Sequence, residues 1–148
     1  MQNKTVLFAT DHAGFELREF VLDHLRSLEY TVEDMGPQKL KEGDDYPEYM
    51  NPLAQKISEN PDKYVGIVMG GSGQGEAMVC NRYKNVRAAV YYGADEEIVK
   101  LSREHNDANV LSLGARFLSA DQARKACELW LSTAFSGDDR HVRRLEKF

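Results

Sequence analysis

One stretch of the chain, residues 64–80, constrains the fold more than any other. The apolar run Val65–Met69 predicts a buried strand, four glycines follow within six residues, and Glu76–Tyr83 has helical spacing. In a strand, glycine turn and helix, successive backbone N–H groups converge on an anion, and the helix dipole assists them. Glycine is needed because positive φ and close backbone approach exclude a Cβ. The stretch predicts an anion site flanked by one hydroxyl, Ser72, and one carboxylate, Glu76.

Composition narrows the class of protein. At 148 residues the chain predicts a single domain, residues 1–148, and its 42% apolar and 29% charged residues are typical of globular proteins. The net charge of −5 argues against a nucleic-acid partner. Neither a membrane span of about 20 apolar residues nor a secretory h-region is present. Cys80 and Cys127 have no metal or disulfide spacing, so we expect core packing and a cytoplasmic location.

Five predicted strands alternate with helices along the whole chain. The strands are Thr5–Thr10, Thr31–Asp34, Val65–Met69, Val86–Tyr91 and Val110–Leu113. The helices are Phe15–Leu28, Pro47–Ser58, Glu76–Tyr83, Asp95–Arg103 (with Ile98, Val99 and Leu101 inward), a long one capped by Ser119, and a tail from about Asp138. This alternation predicts a three-layer, doubly wound (Rossmann-like) α/β domain. It would contain a five-stranded parallel sheet, helices on both faces and a C-terminal helical tail. Its ligand should bind at the carboxyl ends of the strands.

Chemically active side chains cluster in three segments. Asp11 and His12 follow the first strand, and Ser72 and Glu76 follow the third. The helix after the fourth strand ends near His105. We expect all three segments to meet at one edge of the sheet, which would make their convergence more informative than any single motif.

The glycine loop allows two interpretations of its polar residues. Glu76 either stabilises the helix dipole or acts as a general base whose pKa is raised by partial burial. Ser72 is either a turn serine or an oxyanion donor that acts with the amides of Gly71, Gly73 and Gly75.

The histidines and arginines also have a structural and a functional interpretation. His12 and His105 are structural residues or proton carriers near neutral pH, and Asn106 offers a donor and an acceptor to hydroxyl groups. Arg140 and Arg144, four residues apart, form either a solvated basic helix end or a phosphate clamp.

Three nucleotide and phospho-acceptor motifs are excluded. Gly75 is followed by Glu76 and Ala77, not by the Lys-Ser/Thr of a Walker A loop. The glycine spacing, and its place after the third strand, do not match a dinucleotide fingerprint. A receiver domain would end its third strand in aspartate, where this chain has Met69 and Gly70.

Nearly the whole chain resembles the type B ribose-5-phosphate isomerases, a group that includes the galactose-6-phosphate isomerase subunits. The resemblance rests on seven segments: Asp11–Phe15, Asp45–Pro47, Gly70–Glu76, Val86–Ala89, Ser102–Val110, Gly114–Arg116 and Arg140–His141.

The resemblance implies a base for the reaction. One version of the family has cysteine at the position of Gly70, whereas the other has glycine there and a glutamate that closes the loop, as Glu76 does here. It therefore implies that Glu76 is the base and that Ser72, with the loop amides, holds an enediolate. His105 or Asp11 would open the sugar ring.

The resemblance further implies a homodimer, or a dimer of dimers, whose sites are shared between subunits. Arg116, Arg140 and Arg144 would reach the substrate phosphate from the partner subunit, with His12 also contributing. Asp138 and Asp139, where many relatives have glycines, would compete for the arginine charges.

The implied activity is the interconversion of ribose 5-phosphate and ribulose 5-phosphate, a step of the pentose phosphate pathway, with no metal, nucleotide or redox cofactor. The sequence leaves two alternatives open. One is an isomerase of another phosphosugar, such as allose 6-phosphate, galactose 6-phosphate or a tetrose phosphate. The other is a non-catalytic module that binds a sugar phosphate or a nucleotide.

Overall fold

The computed structural model describes Met1 and residues 3–148. Its strands are β1 (Thr5–Thr10), β2 (Val32–Asp34), β3 (Tyr64–Gly70), β4 (Ala88–Tyr91) and β5 (Val110–Gly114). Its helices are α1 (Phe15–Ser27), α2 (Pro47–Glu59), α3 (Gln74–Cys80), α4 (Glu97–Glu104), α5 (Ala120–Ser132) and α6 (Asp139–Leu145), and a 3₁₀ helix, His12–Gly14, precedes α1. All strand pairs are parallel, in the order β2-β1-β3-β5-β4. The predicted doubly wound α/β fold is confirmed.

The sheet lies between two helical layers because β3, at its centre, is apolar along its whole length and buried on both faces. On one face, α1 packs against α5 over a core that contains Phe8, Ile67 and Trp130. On the other, α2 packs against α3 around Leu53 and Val68. β3 thus contributes side chains to both halves of the core.

Helix boundaries differ from the predicted ones by a few residues, for local reasons. α3 starts at Gln74, ahead of the predicted Glu76, because Gly73 adopts φ 77° and ends the glycine turn. α4 starts after Asp95, whose side chain accepts a hydrogen bond from the Glu97 amide at 2.9 Å. At α5 the predicted Ser119 cap is confirmed and is part of a capping box.

The prediction that Ile98 packs inward beside Val99 is wrong. Ile98 is 54% exposed, whereas Val99 is 1% exposed. Adjacent helical residues point about 100° apart, so α4 buries Val99 and turns Ile98 outward. The predicted burial of Cys80 and Cys127 is confirmed.

The strand order reverses direction between β1 and β3. From β1 the chain moves outward to β2, and after β3 it moves the other way to β4 and β5. Loops that leave the carboxyl ends of β1 and β3 therefore separate and leave a crevice, the usual ligand position in doubly wound sheets.

In the part of the chain that the structure describes, no helix has the length and apolar character needed to cross a bilayer.

Candidate active site

The crevice at the reversal point contains two buried carboxylates. Asp11, at the end of β1, and Glu76, in the first turn of α3, are each 4% exposed. The Asp11 amide donates to the Met69 carbonyl at 3.4 Å, which holds the two strand ends together. The Asp11 carboxylate accepts a hydrogen bond from the Ala13 amide at 2.9 Å and caps the 3₁₀ helix. The crevice is therefore acidic, and both carboxylates are largely shielded from water.

Glu76 folds back over Gly70, the last residue of β3. A Cβ on residue 70 would lie 1.8 Å from Glu76 Oε1 and 2.1 Å from its Cδ, so only glycine leaves room for the carboxylate. Burial raises the pKa of Glu76 above its ordinary value; a backbone hydrogen bond opposes the rise, and the charge of Asp11 adds to it. A carboxylate with a raised pKa is a stronger base at neutral pH than an exposed one.

Close contacts to its backbone fix the conformation of the glycine loop. Ser112 Oγ donates to the Gly73 carbonyl at 2.6 Å, and Gly73 has the left-handed conformation that glycine favours. At Gly75 a Cβ would lie 2.6 Å from the Tyr46 ring, so the tyrosine packs directly on the backbone. Ser72 is half-buried, and its Oγ accepts a weak hydrogen bond from the Gln74 amide at 3.3 Å. The loop thus presents amides and one hydroxyl beside Glu76.

Arg116 lies beside the glycine loop of its own chain. Its guanidinium would be 3.5 Å from a Cβ on Gly71, and its amide donates to the Gly71 carbonyl at 3.1 Å. The expectation that Arg116 reaches the site from a partner subunit is therefore wrong. The loop after β5 places this arginine at the same sheet edge as Glu76.

His12 lies at the same edge, against Asp44. Asp44 Oδ1 is 2.7 Å from His12 Nδ1 and accepts a hydrogen bond from the His12 amide at 3.0 Å. The hydrogen bond to Asp44 raises the pKa of His12, although burial opposes the rise. The ring is 26% exposed, so its other nitrogen can meet a ligand.

Asp11, His12 and Asp44 are also close enough to hold a cation, since one ligand atom from each lies within 4.8 Å of the others. The 2.7 Å contact, however, already engages His12 Nδ1. His12 and Asp44 therefore form a hydrogen-bonded pair, with Asp11 Oδ2 3.7 Å from His12 Nδ1.

His105 and Asn106 do not reach this edge, so the prediction that three segments meet there is wrong for the third. The two residues follow α4 and precede β5, and the Asn106 carbonyl accepts a hydrogen bond from Arg87, which lies just before β4. A crossover helix runs antiparallel to its strands, so α4 ends at the amino edge of the sheet. One chain therefore has polar clusters at both sheet edges.

The cluster at the amino edge is built on α6. The His141 ring stacks on His105 with centroids 4.2 Å apart, and Arg140 Nε donates to His141 Nε2 at 3.1 Å. Arg140 and Arg144 are exposed, and Asp138 lies 3.8 Å from Arg140 Nε. Burial, the charge of His105 and that of Arg140 lower the pKa of His141, so the stack contains a neutral ring near pH 7.

The two clusters are too far apart to act together within one chain. The residues of β5, from Asn109 just before it to Gly114 at its end, span about 17 Å at the rise of an extended strand. His105 and Arg140 lie at one end of this span, and Glu76 lies at the other. The residues predicted for the site are therefore divided between the two edges.

Two residues near Glu76 were missed by sequence reasoning. Asp44, in the loop between β2 and α2, is buried, and Tyr46 covers Gly75. Tyr46 could have been found from the sequence, because it lies in Asp45–Pro47, one of the segments that carry the family resemblance. Nothing in the sequence indicates that Asp44 turns inward. Cys80 lies nearby, but burial and the charge of Glu76 raise its pKa to about 12, which makes it a poor nucleophile.

These features define a class: a doubly wound α/β domain with an anion-binding glycine loop and a buried carboxylate suited to proton transfer. The chain matches the Ribose/Galactose Isomerase family over residues 6–148. The chain therefore belongs to the ribose/galactose isomerase family.

Individual relatives agree with the family match over almost the full length. A probable ribose-5-phosphate isomerase B of Mycoplasma genitalium is 36% identical, covering 96% of this chain and 91% of the relative. The ribose-5-phosphate isomerase B of Mycobacterium tuberculosis is 31% identical, covering 99% and 88%.

Solved structures give the same result. The Mycoplasma genitalium ribose-5-phosphate isomerase B with bound ribulose 5-phosphate has a TM-score of 0.93 and 35% identity, covering 99% of this chain and 95% of that one. The type B ribose 5-phosphate isomerase of Trypanosoma brucei has a TM-score of 0.89 and 34% identity, covering 98% and 96%.

Gly70→Ala should remove activity without unfolding the protein. The new methyl group would displace the Glu76 carboxylate, the flexible end of a side chain, and leave the strand intact. We expect kcat to fall by at least ~10²-fold, the usual size of a general-base contribution. Turnover of ribose 5-phosphate and the thermal midpoint, measured on the same preparation, test this. Full turnover in the folded variant would contradict the packing described for Glu76.

Glu76→Gln should stabilise the protein at high pH. A carboxyl whose pKa is raised by folding destabilises the folded state once it must ionise, so the penalty is complete above the folded pKa and absent below the ordinary value of 4.5. We expect Tm to rise on the order of 2–4 °C at pH 8 and to match the unmodified protein near pH 4. Thermal melts at both pH values test this, and an equal Tm at pH 8 would argue against a buried, ionised Glu76.

Proposed function

We propose that the protein interconverts ribose 5-phosphate and ribulose 5-phosphate, with Glu76 as the base. The observation that carries the proposal is the buried carboxylate of Glu76 over Gly70, inside a loop of backbone amides. Membership of the family, and the relative whose structure contains ribulose 5-phosphate, support the choice of substrate.

The reaction needs a base, a site for an oxyanion and a route for protons between two oxygens. In the proposed mechanism, the Glu76 carboxylate removes the proton from C2 of the open-chain aldose. The electron pair forms the C1–C2 double bond, and the carbonyl electrons move to O1, giving a cis-enediolate. Ser72 and the loop amides donate hydrogen bonds to that oxygen. A proton passes from O2 to O1, the C2 carbonyl forms, and the protonated Glu76 returns its proton to C1.

Ring opening requires a further proton carrier, and His105 and Asp11 are the two candidates. Asp11 is supported by its position, since it is buried in the same crevice as Glu76. His105 lies at the amino edge of the sheet and can take part only if a second copy supplies it.

We further propose a homodimer, or a dimer of dimers, in which each site combines the two sheet edges. The carboxyl edge of one copy would supply Glu76 and Ser72, and the amino edge of the other would supply His105 and Asn106. The separation of about 17 Å along β5 supports this arrangement, because it leaves the two clusters of one chain unable to share a substrate.

The substrate phosphate would bind between the carboxyl edge of one copy and the amino edge of the other. Arg116 and His12 lie at the carboxyl edge, near the glycine loop. Arg140 and Arg144 are exposed on α6 and would approach from the second copy, with their charges partly offset by Asp138. Guanidinium groups bind phosphate oxygens in pairs, which suits an exposed clamp of this kind.

The place of the reaction in metabolism belongs to the same proposal. Interconversion of these two sugars is a step of the pentose phosphate pathway, and we propose that it takes place in the cytoplasm. The two buried, unpaired cysteines agree with a reducing compartment.

Glu76→Gln should remove isomerase activity, since an amide cannot accept the C2 proton. We expect kcat to fall at least ~10²-fold with little change in KM, the pattern for loss of an interaction made in the transition state. Exchange of the C2 proton of ribose 5-phosphate into deuterium oxide, followed by NMR, gives a second readout.

Glu97→Gln, the same substitution at an exposed glutamate in the first turn of α4, is the matched control. Near-full turnover, or undiminished proton exchange, by folded Glu76→Gln protein would contradict the proposed base. Substrate binding without any exchange by the unmodified protein would instead indicate a non-catalytic binding module.

A further inference from the structure

Asp44 is buried beside the crevice and takes no part in the proposed mechanism. It lies in the loop between β2 and α2, and its side chain has no exposed surface. Tyr46, two residues later, covers Gly75, so this loop contacts the site at two points. A charged side chain without solvent contact is costly unless it has specific partners, so the partners of Asp44 indicate its role.

The partners of Asp44 are concentrated in one residue. Its Oδ1 accepts a hydrogen bond from the His12 amide at 3.0 Å and lies 2.7 Å from His12 Nδ1. One oxygen therefore holds both the backbone and the ring of His12. Because a carboxylate can only accept, Nδ1 donates to this oxygen, and Nε2 makes no hydrogen bond to any described residue on a side chain that is 26% exposed.

Three carboxylates act on the charge of the His12 ring. Asp11 Oδ2 lies 3.7 Å from Nδ1, Asp44 is in contact, and Glu42 is near enough to add a smaller effect. Tyr49 of α2 is close enough to Asp44 to influence its titration. Burial would raise the pKa of Asp44, but the hydrogen bonds from His12, assisted by Tyr49, outweigh that effect and lower it.

We propose that Asp44 is a positioning residue for substrate binding: it orients His12 through Nδ1 and stabilises the imidazolium form, which presents Nε2–H to the anionic group of the substrate. This is the arrangement in which a carboxylate behind a histidine fixes both its tautomer and its orientation. The inference rests on the proposed function, because a phosphosugar supplies the anion that His12 meets.

The first test is a titration of His12 in the unmodified protein by NMR of the imidazole carbons and nitrogens. The chain has four histidines, and His12→Gln identifies the signal of interest by its loss. We expect His12 to titrate above the ordinary value of about 6.5 and to keep its proton on Nδ1 when neutral. A His12 that titrates at or below that value, or carries its neutral proton on Nε2, would overturn the inference.

The second test is Asp44→Asn, whose Oδ1 can still accept both hydrogen bonds but carries no charge. We expect His12 to titrate at lower pH than in the unmodified protein. KM for ribose 5-phosphate at pH 8 should rise about tenfold while kcat changes less than about threefold. Because the imidazolium is the binding form, KM should begin to rise at lower pH in the variant. Glu48→Gln, an exposed charge removal in the first turn of α2, is the matched control.

A purely structural Asp44 gives a different result. It would lower Tm and kcat while leaving the titration of His12 and the pH at which KM rises unchanged, and this outcome would overturn the inference. In the double variant His12→Gln, Asp44→Asn, the rise in KM should match that of His12→Gln alone, since Asp44 acts through His12. Additive effects would count against it.

The titration also separates this inference from the proposed function. Inorganic phosphate should shift the His12 signal in the unmodified protein, and less so in Asp44→Asn, whether or not any sugar is isomerised. Absence of turnover together with these shifts would reject the isomerase and retain the role of Asp44. Turnover without any effect of phosphate on His12 would reject the role of Asp44 and retain the isomerase.

Discussion

The contact between the Glu76 carboxylate and Gly70 is the constraint on which the rest of the site depends. A Cβ on residue 70 would overlap the carboxylate at 1.8 Å, so a side chain at the end of β3 and a carboxylate on the first turn of α3 exclude each other. Burial in this place also raises the pKa of Glu76, which reduces stability at high pH and would strengthen the proposed base.

The parallel topology of the sheet explains why the other predicted site residues lie at two opposite edges. Residues that follow strands lie at the carboxyl edge, as Asp11, Ser72 and Arg116 do, and residues that end crossover helices lie at the amino edge, as His105 does. No rearrangement of side chains can bridge about 17 Å, so an isomerase that uses both sets requires two copies of the chain. The proposed dimer follows from where the strands and helices end.

Much of this could be predicted from the sequence, for identifiable reasons. The alternation of apolar runs with helical spacing predicted the fold, and the glycines of residues 70–75 predicted a tight loop that the structure confirms. The position of His105 was predicted wrongly. The residue follows the helix after β4 and was therefore assigned to the carboxyl edge, but that helix ends at the amino edge. Asp44 could not be predicted, since a non-repeating loop carries no periodic signal that shows which of its acids turns inward.

Mixing two inactive variants tests the account most directly. Glu76→Gln impairs the carboxyl edge, and the pair His105→Asn, Arg140→Ala impairs the amino edge, so a mixed dimer has one site free of all three changes. After equal mixing and confirmed subunit exchange, random pairing in a two-fold dimer predicts recovery of about a quarter of the unmodified activity. No recovery above the separate variants, with mixed dimers demonstrated by native mass spectrometry, would contradict sites shared between subunits.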